Sequence, residues 1–531
     1  MGQTPYWMQD PGGPPPPPAD PEPPRRDRSV VVKIAVALLA VALIAASAIA
    51  VVAFQRTNEL QEQLDERDRE QTSEDPETEP ETESENPLDG LLDDFVGDLG
   101  DLGDLGGGGD PLGGANPELL ECLGAGGDPD DLFGGGDLGN LFGEDGSAKP
   151  ERLVRTISKQ VEKVRELRFR KPVEADFIPP AQIEKRVGRL FLEGYSKKDA
   201  ELDERVLGAI GAIERGTDLF ATLRGGLEGQ VSGFYVPSTE ELVVLSGKNI
   251  GPLEKITLAH ELEHALADQN LGLPLPEDTD PATADADLAT LAVIEGDATL
   301  TMQRWSLAHL SLSDQLGMLA GSTGLQQSQE ELEAMPHYLQ QQLTFPYLDG
   351  LNFVCNLQSE GGWAAVDRAY DEPPASSDQV LFPERYDPKA EPVDVTGAAE
   401  LDDSWTKRET ASFGAAELKW LFEAPGGDPR KSLDDPLGAV AAWGGGAIEL
   451  WTKGEDSAVS VALAQRAGES GLCDAVTQWY SASFSDDQES EQGGAALVAE
   501  GGAQDALITC SPDEVRIGIG PDLATARTLA G

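Results

Sequence analysis

The chain has 531 residues, enough for two or three domains, and a formal net charge of -57 at pH 7. Such acidity excludes nucleic-acid binding, which needs a basic surface. It fits a solvated acidic surface and an acidic linker, and it attracts cations.

Residues 1–33 form a Pro-rich segment, with a proline run from Pro14 to Pro18, and read as a disordered cytosolic tail. Ile34 to Phe54 is an uncharged apolar run of about 21 residues, long enough to cross a bilayer. Arg25, Arg26, Arg28 and Lys33 precede it and acidic sequence soon follows Arg56. The positive-inside rule then places the N-terminus in the cytoplasm and the rest of the chain outside. A cleavable signal peptide, with a site near Ala46-Ser47-Ala48, is the alternative. The run is longer than a usual signal core, which favours a retained single-pass anchor. Residues 55–147 begin with a short charged helical stretch and continue as a flexible stalk rich in Asp, Glu, Gly and Pro. Asp-Leu-Gly recurs there from Asp98 to Gly106, a composition that cannot bury a core.

Folded sequence begins near Lys149 and reads as α+β. An amphipathic helix over Leu153–Leu167, a strand over Pro172–Ile178 and a helix over Pro180–Leu192 come first. Gln230–Tyr235 and Glu241–Leu245 read as paired strands around a Pro237-Ser238 turn. Helices follow over Leu253–Gln269 and Asp285–Leu310. A helical tract containing Glu331–Leu343 comes next, then a loop over Phe345–Gly350. Residues 148–400 read as one domain. Residues 401–531 read as a second α+β region packed on it or continuing it. This region has a hairpin at Ala447–Thr452 and Ala458–Leu463, a helix at Leu472–Phe484, and strands at Leu507–Cys510 and Glu514–Ile519. Of four cysteines, Cys473 and Cys510 share the C-terminal region and pair; Cys122 and Cys355 remain for each other.

The chemistry concentrates in His260-Glu261-Leu262-Glu263-His264, an HExxH motif on the third of these helices. Histidines four apart on a helix project from one face, so both imidazoles reach one metal ion, and zinc is the usual occupant. Glu261 beside the first histidine is placed to act as general base. Leu258, Leu262 and Leu266, with Ile256 and Ala259, make the helix apolar and buried. Zinc needs a third ligand. A histidine six residues after His264 would supply it in one class of proteases, but that position is Asn270. Glu295 fits instead, because its helical neighbours Leu288, Leu291, Ala292, Ala298 and Met302 are apolar and turn it inward. A buried carboxylate needs a cation or a metal. Arg304 is the competing partner. Asp268 and Asp297 are candidates to accept a hydrogen bond from a ligand histidine's second nitrogen.

These residues resemble the gluzincin-type zinc metallopeptidases and, more narrowly, bacterial membrane-anchored neutral zinc metallopeptidases. The matching pieces are Gly233-Phe234-Tyr235, His260 to Gln269, Glu295-Gly296-Asp297-Ala298, Phe345-Pro346-Tyr347 with Gly350, Gly361-Gly362-Trp363, and Pro373 to Tyr386. Phe382 departs from the histidine expected before Pro383-Glu384. The resemblance implies a zincin-like catalytic domain with Zn2+ as cofactor and a peptide or protein substrate. It implies metal-assisted hydrolysis, with zinc on His260, His264 and Glu295 and with Glu261 moving the proton to the leaving amine. A second electrophile would stabilise the oxyanion. His309, His337, Tyr338 and Tyr347 are candidates, and Tyr347 lies in a matching block. The rival readings are an inactive zincin-fold binding or scaffold module, and a structural zinc site with four protein ligands.

Overall fold

The computed structural model describes Cys122 and residues 149–531, apart from residues 247–249, 276–280, 311–313, 315–329, 396, 398–399, 485–487, 491–495 and 502. The expected tail, the span at residues 34–54 and the stalk, except Cys122, lie outside the described residues. Among the described residues no helix is long and apolar enough to cross a membrane. Helices and two sheets make the fold α+β.

Helix α1 (Pro150–Arg165) opens on a proline, whose missing N–H would be unpaired in a first turn anyway. It buries Val154, Ile157, Val161 and Arg165 at helical spacing. Strand β1 (Ala175–Ile178) leads to α2 (Pro180–Gly194), α3 (Lys197–Ala209) and α4 (Leu219–Gln230). The sequence reading has no element between Leu192 and Gln230. The missed signals are caps: Ser196 accepts the Asp199 N–H at 3.2 Å, and Asp218 accepts the Ala221 N–H at 2.9 Å.

Strands β2 (Gly233–Val236) and β3 (Glu241–Leu245) pair antiparallel across the expected turn, and β1 joins β3 in parallel, giving the order β1-β3-β2. Helix α5 (Pro252–Asn270) carries the HExxH motif and packs on β2 and β3, with Ile256 to Ala267 buried on every side. A Cβ on Gly233 would fall 2.6 Å from Thr257 Cγ2 and 2.9 Å from the Val243 carbonyl oxygen. Glycine therefore lets β2 lie directly against the motif helix.

Helix α6 (Ala284–His309) is buried on all faces along its middle and packs lengthwise on α7 (His337–Gly361). The expected loop over Phe345–Gly350 is corrected here, because α7 runs unbroken through Pro346. An interior proline costs a helix about 3 kcal/mol. Burying Phe345 and Tyr347 returns about 1.5–3 kcal/mol for each side chain, so packing outweighs local preference.

Helices α8 (Trp363–Asp371) and α9 (Ser377–Leu381) follow. The block from Pro373 to Tyr386 is a joint between the two halves of the fold. Asp378 is clasped by Arg385 at 2.7 Å and by Arg466, and Arg385 stacks on Phe382 at 4.0 Å. Strand β4 (Thr406–Ser412), α10 (Ala415–Glu423), α11 (Pro436–Val440), β5 (Trp443–Lys453), β6 (Asp456–Gln465) and α12 (Leu472–Ser483) lead into β7 (Gln488–Ser490), β8 (Leu497–Glu500), β9 (Asp505–Cys510), β10 (Glu514–Gly520) and α13 (Leu523–Ala530). The strands form one antiparallel sheet, ordered β4-β5-β6-β10-β9-β8-β7. One buried cluster runs from Val293 and Phe353 through Trp420 to Val461 and Ile517, so both regions share a core. Both expected disulfides, Cys122–Cys355 and Cys473–Cys510, are formed.

Asp285 stitches the start of α6 to this joint. Each of its carboxylate oxygens lies 3.2 Å from the Ser377 N–H, and Ser377 Oγ accepts the Ala416 N–H at 3.0 Å. Burial, aided by the Glu417 and Asp378 charges, pushes the Asp285 carboxyl up to about 7 against the Ser377 hydrogen bonds. The folded state thus keeps a proton that the unfolded chain releases above 3.8. The stabilisation from this group is complete below about pH 4 and is lost as pH rises through about 7, on the order of 4 kcal/mol. Asp285→Asn should therefore flatten the decline in unfolding free energy between pH 4 and 7, measured by denaturant titration. Equal slopes in variant and wild type would reject this account.

Candidate metal centre

Helices α5 and α6 bring three side chains together. His260 Nε2 lies 3.2 Å from Glu295 Oε2, and His264 Nε2 lies 3.4 Å from the same oxygen. The two imidazoles meet edge to face, with ring centroids 4.6 Å apart. One ligand atom from each residue lies within 4.8 Å of the others, so His260, His264 and Glu295 could hold a metal ion. The donor set, two imidazole nitrogens and one carboxylate oxygen converging on one point, fits a divalent transition metal. Arg304, the competing partner for Glu295, instead donates to the Cys122 carbonyl oxygen at 2.9 and 2.6 Å and to Gln358 at 2.9 Å.

Electrostatics point the same way. Glu261, Glu263, Glu295 and Asp297 are each at most 2 % exposed, and Arg165 is the fully buried cation among them. Arg165 faces only Glu263 and Asp297 of these four, so the negative charge of Glu261 and Glu295 is left for a divalent cation to balance. Without an ion, protons take that place. Burial lowers the His264 imidazole, but Glu295, Glu261 and Glu263 outweigh it and raise it to about 10. Burial, together with the His264 charge, takes His260 down to about 4 against Glu295. Burial opposes ionisation of Glu295, yet His264 and His260 outweigh it and bring the carboxyl to about 2.

Glu261 points into the same space. Burial and the Glu295 charge raise it to about 8, against the pull of His264 and a hydrogen bond from the Tyr235 N–H. Tyr235 lies on β2, at the edge of the first sheet. A main-chain donor on a strand thus fixes the carboxylate next to the first histidine. The close approach permitted by Gly233 makes that contact possible.

Of the other residues singled out in the sequence, Tyr347 is fully buried on α7 and stacks on His260 at 6.2 Å. Tyr338 donates to Glu417 at 2.9 Å, His337 faces Glu423 at 3.1 Å, and His309 packs by Trp305 at 6.0 Å. Asp268 accepts a hydrogen bond from the Tyr235 hydroxyl at 2.7 Å, while Asp297 receives Arg165 Nε at 2.8 and 2.9 Å and the Tyr370 hydroxyl at 3.0 Å. Neither carboxylate makes a described hydrogen bond to a candidate ligand histidine, and Nδ1 of both His260 and His264 is buried without a described hydrogen bond.

No family model and no curated protein matches the chain. Among solved structures, a protein from Chloroflexus aurantiacus, provisionally called a hydrolase with a novel fold, is similar over 50 % of this chain and 95 % of its own. Sequence identity is 15 % and the TM-score is 0.28.

Two residues beside the centre have no role in the sequence reading. Glu263 lies inside the motif, fully buried, with Oε2 3.8 Å from His264 Nδ1 and Oε1 3.9 Å from Arg165 Nε. Its signal was present: a further acidic residue between the two histidines, among the buried apolar positions Leu258, Leu262 and Leu266. Arg165, at the last turn of α1, had no local signal, because only the packing of α1 on α5 and α6 delivers it.

Proposed function

We propose that the protein is a membrane-anchored zinc peptidase of gluzincin type, with its catalytic domain outside the cytoplasm. The observation that carries this reading is the convergence of His260, His264 and Glu295 beside a buried Glu261. Two disulfides support an oxidising compartment. In this reading His260, His264 and Glu295 hold the zinc. When bound, zinc supplies Lewis-acid chemistry, activating water and polarising a carbonyl. Glu261 takes a proton from the attacking water on its carboxylate and delivers it to the leaving amine, held in place by the Tyr235 N–H. Edge strand β2, beside α5, offers an extended peptide a main chain to pair with. Tyr347 backs His260 and fixes its ring plane.

Metal removal tests the reading. The purified full chain should carry about one zinc per molecule. It should cleave members of a mixed peptide library, lose cleavage on chelation and regain it with added zinc. His264→Ala should abolish stoichiometric zinc. A folded wild type that takes up no zinc removes the metal-centre reading. Stoichiometric zinc without cleavage makes the chain a scaffold.

A further inference from the structure

We propose that Glu263 is a positioning residue for His264, accepting its Nδ1–H, and that Arg165, Asp297 and Tyr370 hold Glu263 in place from behind. The proposal rests on His264 being a metal ligand. A histidine that coordinates through Nε2 must carry its proton on Nδ1, and that N–H needs an acceptor to set ring plane and tautomer. His264 turns Nε2 toward Glu295 and leaves Nδ1 buried and without a hydrogen bond. The carboxylate facing that nitrogen, at 3.8 Å, belongs to Glu263. Both Glu263 oxygens are also buried with no N–H donor at hydrogen-bond distance; Arg165 Nε stands 3.9 Å from Oε1, and Asp297 shares a hydrogen bond with the Glu263 carboxyl when that is protonated. His264 Nδ1 is thus an unmet donor that faces, at 3.8 Å, a buried carboxylate oxygen held by no N–H donor of its own.

The wall behind Glu263 explains how it stays aimed. Arg165 Nε grips both oxygens of Asp297, at 2.8 and 2.9 Å, its Nη2 reaches Asp367 at 2.6 Å, and its guanidinium lies 4.4 Å above the Trp363 ring. Tyr370 donates to Asp297 at 3.0 Å. This clamp ties α1, α6 and α8 together without Glu263. Its hydrogen bonds run from Arg165 to Asp297 and Asp367 and from Tyr370 to Asp297, so the Glu263 carboxyl adds no N–H donor bond to it, and burying that acid costs stability. Glu263 is the carboxylate that this clamp sets nearest to the unmet His264 Nδ1–H. Burial and the Asp297 charge hold the Glu263 carboxyl well above the usual range, with His264 and Arg165 opposing.

The test compares Glu263→Leu and Glu263→Gln in the full chain, with zinc affinity read by chelator competition and stability by denaturant unfolding. Leucine should lower zinc affinity about 10–100-fold while leaving metal-free stability equal or higher. Glutamine keeps an acceptor oxygen and should recover most of the affinity. Affinity of Glu263→Leu within about threefold of wild type, or a loss that glutamine shares in full, overturns the proposal. If the leucine variant does not fold, 15N-histidine spectra of the zinc-loaded wild type decide, since the chain has only four histidines. A slowly exchanging proton on His264 Nδ1 supports Glu263 as acceptor; rapid exchange with solvent refutes it. A wild type that binds no zinc would instead remove the metal centre itself.

Discussion

Glu261→Gln should leave zinc content unchanged and lower peptide hydrolysis by about 10²–10⁴-fold, the usual worth of a positioned general base. Glutamine has nearly the same shape and keeps an oxygen for the Tyr235 N–H, so the local geometry survives. The substitution removes only the capacity to take up a proton. The side chain is 2 % exposed in an acidic cluster, so losing its charge should not destabilise the fold. Zinc analysis and cleavage rates on the same preparation check both halves. Cleavage within about tenfold of wild type would assign the base elsewhere.

Gly296→Ala should unfold more easily and bind zinc at least about tenfold more weakly, although it touches no ligand atom. Glu295 precedes Gly296 on α6, and Gly296 lies against Gly350 of α7. A Cβ at position 296 would fall 2.3 Å from the Gly350 carbonyl oxygen and 2.9 Å from Val354 Cγ2. A main-chain atom cannot rotate away, so the helices must separate. In the other direction, a Cβ on Gly350 would meet the Ala292 carbonyl oxygen at 2.3 Å. Alanine improves helix propensity by about 1 kcal/mol, but overpacking costs typically 1–3 kcal/mol and here displaces a ligand helix. Gly225→Ala is the control, because a Cβ there meets nothing within 4 Å. It should be neutral or stabilising. Unfolding and zinc competition measured on both variants separate propensity from packing. Equal behaviour would mean that the α6–α7 contact does not set the position of Glu295.

Several long-range features are legible in the chain because they rest on local pattern. HExxH spacing puts His260 and His264 on one helix face, and the apolar neighbours of Glu295 turn it inward; the structure brings the three together. The β5–β6 hairpin and the two cysteine pairings follow from alternation and from arithmetic on four residues. Local pattern misleads where packing opposes it. Pro346 reads as a break, yet α7 continues because its flanking aromatics are buried. Asp268 and Asp297 read as partners of a ligand histidine from their nearness in sequence. Their described partners are Tyr235 for one, and Arg165 and Tyr370 for the other.

The sequence by itself determined the motif, its helix, the candidate ligands and the α+β class, since each depends on spacing within a few turns of chain. Only the tertiary structure decided what surrounds them. Arg165 reaches Asp297 from the first described long helix, 132 residues earlier in the chain, Tyr347 stacks on His260 from α7, and the Tyr235 N–H meets Glu261 because Gly233 lets a strand lie against a helix. Such contacts join residues with no fixed spacing along the chain. They are selected by the packing of whole elements, which no local window records.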